Sequence, residues 1–134
     1  MADMLHIFRG RKASFFVELA AAVIALAGIV YYAVQSNADD CFDLLYMVLM
    51  CCGVIAVAAH ALLRFEFLLP AAGVLFGVGL GVMVYDMLPT MSDVWNGVHF
   101  IGGNLTAYIV YTAVSFVVVA AVICCCFIGT EKAE

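Results

Sequence analysis

Three ionisable residues lie within or directly beside apolar segments of the sequence, where a charge is costly and commonly marks a functional site. Glu18 lies about four residues beyond the start of the first segment, and His60 and Arg64 lie near the end of the second. Their spacing of four residues places His60 and Arg64 on one face of a helix. The three residues have similar predicted depth, so we expect Glu18 either to pair with Arg64 or to accept a hydrogen bond from His60.

Two interpretations of this cluster are open at the level of sequence. It is either a proton- or substrate-binding site near one mouth of the protein or an interfacial ion pair that holds two helices together. In the second case Arg64 extends its guanidinium towards the lipid headgroups. Glu18 lies only about 6 Å from the start of its segment by helical rise, and this shallow depth favours the ion pair.

The segment from Asp86 to Asn104 supplies a second set of candidate residues. It contains the single tryptophan of the chain, together with a histidine, aspartates, asparagines and glycines among apolar residues. The apolar residues predict an interfacial or re-entrant segment, with Trp95 anchored at the level of the headgroups. Either this segment caps the protein, or its polar side chains bind a small polar or cationic ligand on the outer face. The candidate ligand-binding residues are Asp86, Asp93, Trp95, Asn96, His99 and Asn104.

No pattern in the sequence is typical of catalysis or of a cofactor site. The histidine and carboxylates of the outer segment lack the ligand spacing of a zinc motif, and the sequence contains no phosphate-binding loop or nucleophile–base pair. We therefore expect no enzymatic activity, no metal and no cofactor. The net charge of −5 is not offset by any basic patch, so nucleic acid is not an expected partner.

These candidate residues must be positioned by helices in a lipid bilayer. Apolar residues make up 68% of the 134 residues and charged residues 11%, against about half and about a quarter in average usage. A soluble domain would need more polar surface. Four apolar segments reach the roughly 20 residues that a spanning helix needs, and they lack the alternation of barrel strands. We predict an all-α integral membrane protein, a single domain over 1–134, with four transmembrane helices in an antiparallel bundle. The predicted spans are 14–35, 42–63, 67–88 and 105–129.

The distribution of basic residues predicts the orientation of the bundle. If the N-terminus is cytoplasmic, all five lysines and arginines fall in cytoplasmic segments, whereas the outer segments contain only aspartates. An excess of Lys and Arg in short loops marks the cytoplasmic side. We predict that both termini are cytoplasmic and that the protein resides in the cytoplasmic membrane of a bacterium. The five basic residues are Arg9, Arg11, Lys12, Arg64 and Lys132.

Glycines recur every four residues along the third predicted span, at Gly73, Gly77 and Gly81. Small residues let membrane helices approach closely, so this pattern indicates a packing seam, either within the bundle or between protomers. The alternative is a pore-lining or moving helix. Because four short spans enclose little interior, we expect a homo-oligomer or a larger membrane partner.

The chain resembles the small multidrug-resistance transporters in two respects, the four predicted spans and the carboxylate of Glu18 in the first span. The resemblance implies that Glu18 exchanges protons and cations. The long outer segment 86–104 and the complete segregation of basic residues differ from that family.

Two functional hypotheses follow from the sequence. The first is a structural or accessory membrane subunit that works as an oligomer or beside a larger partner. The second is a small transporter or channel for a small polar or cationic solute. The lack of a charged residue near the middle of any span favours the first.

Overall fold

The computed structural model describes residues 11–129, which form four long α-helices. Helix α1 spans Ala13–Ala38, α2 spans Leu44–Leu63, α3 spans Leu68–Asn96 and α4 spans Leu105–Ile128. Each of the four is long and apolar enough to cross a membrane. The prediction of an all-helical protein with four candidate transmembrane helices is confirmed.

Three of the helices agree with the predicted spans to within three residues at each end. The prediction for α3 is wrong at its end, because the helix passes through Pro89 and continues to Asn96. The first eleven residues of the predicted loop 86–104 are therefore helical, and the connection to α4 is the segment 97–104. Gly97 ends α3 with a φ angle of 65°, a left-handed conformation that suits glycine at this position.

Tertiary contacts hold the last turns of α3 in place beyond Pro89. Proline lacks an N–H and usually breaks or bends a helix, but the following residues Thr90 and Asp93 are buried. The Thr90 hydroxyl donates to the carbonyl of Gly102 at 3.1 Å. Oδ2 of Asp93 accepts hydrogen bonds from two N–H groups of the segment that follows α3. These bonds compensate for the backbone hydrogen bond that Pro89 removes.

The helices form a ring in which each one packs against its neighbours in the chain, and α4 closes the ring against α1. Short connections between consecutive helices require neighbours to run antiparallel. The middle of the bundle is filled by apolar side chains with no exposed surface. These include Met50 and Val57 from α2, Phe76 from α3 and Val118 from α4.

A layer of tyrosines packs between α1, α2 and α4. The Tyr32 ring contacts Tyr46 and Tyr111 edge to face, with centroids 4.6 Å and 4.9 Å away, a favourable arrangement for aromatic pairs. The hydroxyl groups of Tyr46 and Ser115 share a hydrogen bond of 2.9 Å. The layer therefore joins three helices through both ring contacts and a buried hydrogen bond.

The two ends of the bundle carry opposite charge. Every described lysine and arginine lies at the end where α1 begins and α2 ends, which we call the basic end. The described aspartates lie at the opposite end, which we call the acidic end. This segregation agrees with the charge pattern of the sequence, while the orientation in a bilayer stays a prediction. The basic-end cations are Arg11, Lys12 and Arg64; the acidic-end aspartates are Asp39, Asp40, Asp43, Asp86 and Asp93.

The glycines of α3 do not form one seam within the bundle. Gly73 is buried near Val122, but a Cβ added at Gly77 or Gly81 would meet nothing within 4 Å. Each step of four residues turns about 40° around a helix of 3.6 residues per turn, so the stripe drifts from the bundle to the outer face. Gly77 and Gly81 therefore make no close contact with another helix of the bundle. A seam between protomers stays a prediction.

Close helix packing depends instead on Gly53 of α2, which lies against the buried ring of Phe76. A Cβ at Gly53 would lie 2.5 Å from the nearest atom of that ring, which is shorter than any ordinary contact. On α1, the small residues Ala21 and Ala25 are also buried. These small residues set the distances between α1, α2 and their neighbours.

The packing at Gly53 gives a direct test of this arrangement. We expect Gly53→Ala to lower the free energy of unfolding by about 1–3 kcal/mol, the usual cost of overpacking a core, because the new methyl group would overlap the Phe76 ring. Gly81→Ala is the matched control and should not lower this free energy, because its Cβ would meet nothing within 4 Å and alanine favours a helix more than glycine does. Reversible unfolding in mixed micelles measures both values. Equal losses in the two variants would contradict the packing described.

Candidate functional site

The strongest candidate site begins with a buried carboxylate–histidine pair at the basic end. Oε1 of Glu18 lies 2.7 Å from Nδ1 of His60, and the two side chains are 0% and 4% exposed. The antiparallel packing of α1 on α2 brings the start of one helix to the end of the other. Of the two partners expected for Glu18, the structure places His60 in contact with it.

The second oxygen of this carboxylate makes the pair unusual. Oε2 of Glu18 is buried and has no hydrogen-bond partner among residues 11–129. Most buried polar atoms in folded proteins have a partner, and a buried polar atom without one is costly. The position of Oε2 is therefore one that side-chain packing alone would not favour.

Two further polar residues, Arg11 and Ser14, lie near the pair and were not predicted to belong to it. Arg11 is 4% exposed; its Nη2 donates to the carbonyl of Ala61 at 3.0 Å, where the last carbonyls of α2 lack helical partners. Its guanidinium also lies over the Phe15 ring, 4.3 Å from the centroid. Ser14 donates to the carbonyl of Gly129. The spacing of three and four residues between Arg11, Ser14 and Glu18 is the signal that would have grouped them.

A cysteine of α4 also forms a hydrogen bond with Ser14. Sγ of Cys125 donates to the Ser14 carbonyl at 3.2 Å, and Cys125 is 1% exposed. The cluster thus connects the beginning of α1 to the ends of both α2 and α4.

Arg64 lies at the end of α2, where it has a φ angle of 58°. Its N–H donates to the carbonyl of His60 at 2.9 Å, and its side chain is exposed. The ion pair that the structure describes for Glu18 is formed with His60 rather than with Arg64. Arg64 and His60 do, however, line the same cavity.

This cavity has a volume of about 590 Å³ and lies at the basic end between α2, α3 and α4. We call it the basic-end cavity. Part of its wall is the beginning of α3, where no side chain caps the helix and the N–H of Leu68 donates to the carbonyl of Phe65 at 3.1 Å. The lining residues are His60, Arg64, Glu66, Phe67, Leu69, Pro70, Cys125, Cys126 and Gly129.

A second, more open cavity of about 370 Å³ lies at the acidic end. Asp43 and Asp86 line it together with Cys41, Tyr85 and Tyr108. Oδ1 of Asp43 accepts a hydrogen bond from the N–H of Leu45 at 2.6 Å. Asp43 therefore already serves as the N-cap of α2.

The predicted ligand-binding residues of 86–104 do not line a common cavity. Asp86 belongs to the acidic-end cavity, whereas Asp93 binds the N–H groups of Phe100 and Ile101. Because α3 is helical here, Asp86 and Asp93 are separated by about 10 Å along its axis. Asn104 caps α4 by accepting from the Ala107 N–H at 3.2 Å.

The other three candidates in this segment face outward or bond locally. Trp95 is 85% exposed, and His99 is also exposed. Asn96 donates to the carbonyl of Ser92 at 2.9 Å, one turn earlier in α3. The side chains of Asp93 and Asn104 instead bond to the protein's own backbone N–H groups. Ligand binding by the six candidate residues stays a prediction.

Within residues 11–129, no three side chains of the His, Cys, Asp or Glu type gather closely enough to hold a metal ion. At the basic end, the available chemistry is that of an imidazole oriented by a carboxylate. Such a pairing fixes the ring and leaves its other nitrogen to interact with a ligand.

Comparisons with protein-family models, with curated proteins and with solved structures find no match to this chain.

Because the Glu18–His60 pair is buried, the effects of substituting its two residues on the free energy of unfolding should be strongly coupled. We expect His60→Leu to lower the free energy of unfolding by about 3–5 kcal/mol, because it leaves a buried carboxylate without its partner. The double variant Glu18→Met/His60→Leu should recover most of that loss, since apolar groups of similar size replace both polar side chains. Unfolding in mixed micelles measures each variant. Equal stability of the single and double variants would contradict the buried pair.

Proposed function

We propose that the protein is a non-enzymatic membrane protein with a structural or accessory role, which works as a homo-oligomer or beside a larger membrane partner. The observation that supports this proposal best is the apolar middle of the bundle. Met50, Val57, Phe76 and Val118 fill it and are 0% exposed. Such an interior holds four helices together, whereas the charged side chains lie towards the two ends.

The outer face of α3 supports self-association through a second copy of the chain. Gly77 and Gly81 have open space around them, and the flanking Val74 and Val78 are 65% and 50% exposed. Close approach of two such faces would bury apolar area and allow tight backbone packing, as small residues do in membranes. Since this face belongs to an apolar span, its partner must be another membrane helix.

Oligomeric state is the first test of the proposal. We expect the wild-type protein to form a dimer or larger assembly in mild detergent and in nanodiscs, measured by light scattering after size-exclusion chromatography. Gly77→Leu/Gly81→Leu should shift the assembly towards monomer, because bulky side chains would separate the two faces. Ala27→Leu is the matched control, since Ala27 is an equally small exposed residue on α1. A monomeric wild type would contradict self-association.

The alternative function is a small transporter or channel for a polar or cationic solute. The Glu18–His60 pair beside the basic-end cavity is the observation that favours it. A passage would then have to run between copies of the chain, because apolar side chains fill each bundle. Solute flux in proteoliposomes would support this alternative over the structural role. The predicted external site at 86–104 is not part of the proposal, because its six side chains do not converge.

We also propose that the basic end faces the cytoplasm, with the protein in a cytoplasmic membrane such as that of a bacterium. The supporting observation is that Arg11, Lys12 and Arg64 share one end of the bundle, which matches the positive-inside rule.

Reporter fusions test this orientation. We expect a reporter that is active only in the cytoplasm to be active when fused to either terminus. Alkaline phosphatase inserted after Val98, at the acidic end, should be active because that enzyme needs an oxidising compartment. The reverse pattern would overturn the proposed orientation without affecting the fold.

A further inference from the structure

We propose that the end of α3 and the connection to α4 lie in the headgroup interface of the bilayer, with Trp95 and Phe100 inserted among lipids. We call residues 89–101 the interfacial segment; it includes the last turns of α3 and the first part of the connection. The proposal concerns the acidic end of the bundle and does not depend on the oligomeric state. Three features support it: apolar side chains that continue an exposed stripe of the span, a backbone that is bonded internally, and the burial of the one carboxylate in the segment.

The large side chains that the interfacial segment exposes are mainly apolar. Trp95 and Phe100 are 85% and 86% exposed, and Met91, Val94 and Ile101 are exposed as well. Exposed apolar surface of this kind commonly marks contact with a membrane or with a partner. Tryptophan is enriched where a bilayer meets water, because its ring is apolar and its N–H is polar. Lipid at the depth of the headgroups is therefore a suitable occupant.

This apolar surface continues a stripe that begins within the apolar part of α3. Val84, Leu88, Met91 and Trp95 are all exposed, and their spacing of four, three and four residues places them on one face of the helix. A hydrocarbon core needs only about 20 residues of a helix, whereas α3 has 29. The stripe therefore runs from the span past Pro89 into the headgroup region, and the lipid that covers the span would also cover its continuation.

The backbone of the interfacial segment is bonded within the protein. The N–H groups of Gly97 and Val98 donate to carbonyls in the last turn of α3. Those of Phe100 and Ile101 donate to Oδ2 of Asp93 at 3.0 Å and 2.7 Å. Backbone groups close to lipid need such partners, because little water is available to them. The bonds to Asp93 therefore suit an irregular segment that lies against lipid, and they occupy the carboxylate that would otherwise draw the segment into water.

The other connection at the acidic end, between α1 and α2, has the opposite character. It contains three aspartates within the five residues 39–43, and Asp40 is exposed. Between residues 87 and 104, by contrast, Asp93 is the only Asp, Glu, Lys or Arg, and it is buried. Charged side chains are costly in the apolar part of a bilayer. The α1–α2 connection therefore suits water, and the interfacial segment suits lipid.

Fluorescence of Trp95 tests the proposal directly, because it is the single tryptophan of the chain. The full-length protein is reconstituted in phosphatidylcholine vesicles whose acyl chains carry bromine either near the headgroup or near the chain end. Iodide on both sides of the membrane serves as the quencher from water. We expect the bromine near the headgroup to quench Trp95 most strongly, since interfacial segments insert to a depth of about 5–10 Å. Iodide should quench it only weakly.

The matched control moves the tryptophan to the α1–α2 connection. In Trp95→Phe/Ala38→Trp, the new indole replaces an exposed side chain at the end of α1, and we expect iodide to quench it more strongly than brominated lipid does. Strong quenching of Trp95 by iodide without quenching by bromine would overturn the proposal in favour of water. Protection from both quenchers would overturn it in favour of a protein partner, such as a second copy of the chain. Equal lipid quenching at positions 38 and 95, or strongest quenching by the deep bromine, would also contradict it.

Discussion

The hydrocarbon interior of a bilayer offers no water to a polar group, so a bundle of this kind must satisfy its polar atoms internally. This requirement accounts for most of the polar contacts in the protein. Tyr46 and Ser115 bond to each other across the bundle, and the Ser36 hydroxyl bonds back to the Tyr32 carbonyl within α1. Among the described residues, Oε2 of Glu18 and the hydroxyl of Tyr111 are the buried side-chain atoms that have no hydrogen-bond partner.

The same requirement separates the protein into a middle that packs and two ends that carry charge. Apolar side chains and the small residue Gly53 set the helix spacing in the middle. At the basic end, α1, α2 and α4 are connected through a cluster of buried polar side chains, which adjoins a cavity. At the acidic end, carboxylates mostly cap helices or hold the segment that connects α3 to α4. The basic end therefore combines a buried carboxylate–histidine pair with an adjoining cavity, whereas the cavity at the acidic end is lined by Asp43 and Asp86.

Some of this organisation is visible in the sequence because it depends on local patterns. Continuous apolar segments determine four helices, and equal depth in adjacent antiparallel spans is enough to bring Glu18 to His60. The end of α3 was not predictable in this way, since Pro89 and the polar residues after it are typical of a loop. What keeps them helical is a set of distant contacts from Thr90 and Asp93, which no local pattern contains.

The unequal helix lengths have a consequence for the surrounding bilayer. Helix α2 has 20 residues, about 30 Å, which matches a typical hydrocarbon core. Helix α3 has 29 residues, about 44 Å, and it must lean away from the membrane normal or extend above its neighbours. Its last turns contain Asp86, Asp93 and Asn96, so the extra length suits the headgroup region rather than the hydrocarbon core. The acidic end of the bundle would therefore be uneven in a membrane, with α3 extending beyond the shorter α2 on one side.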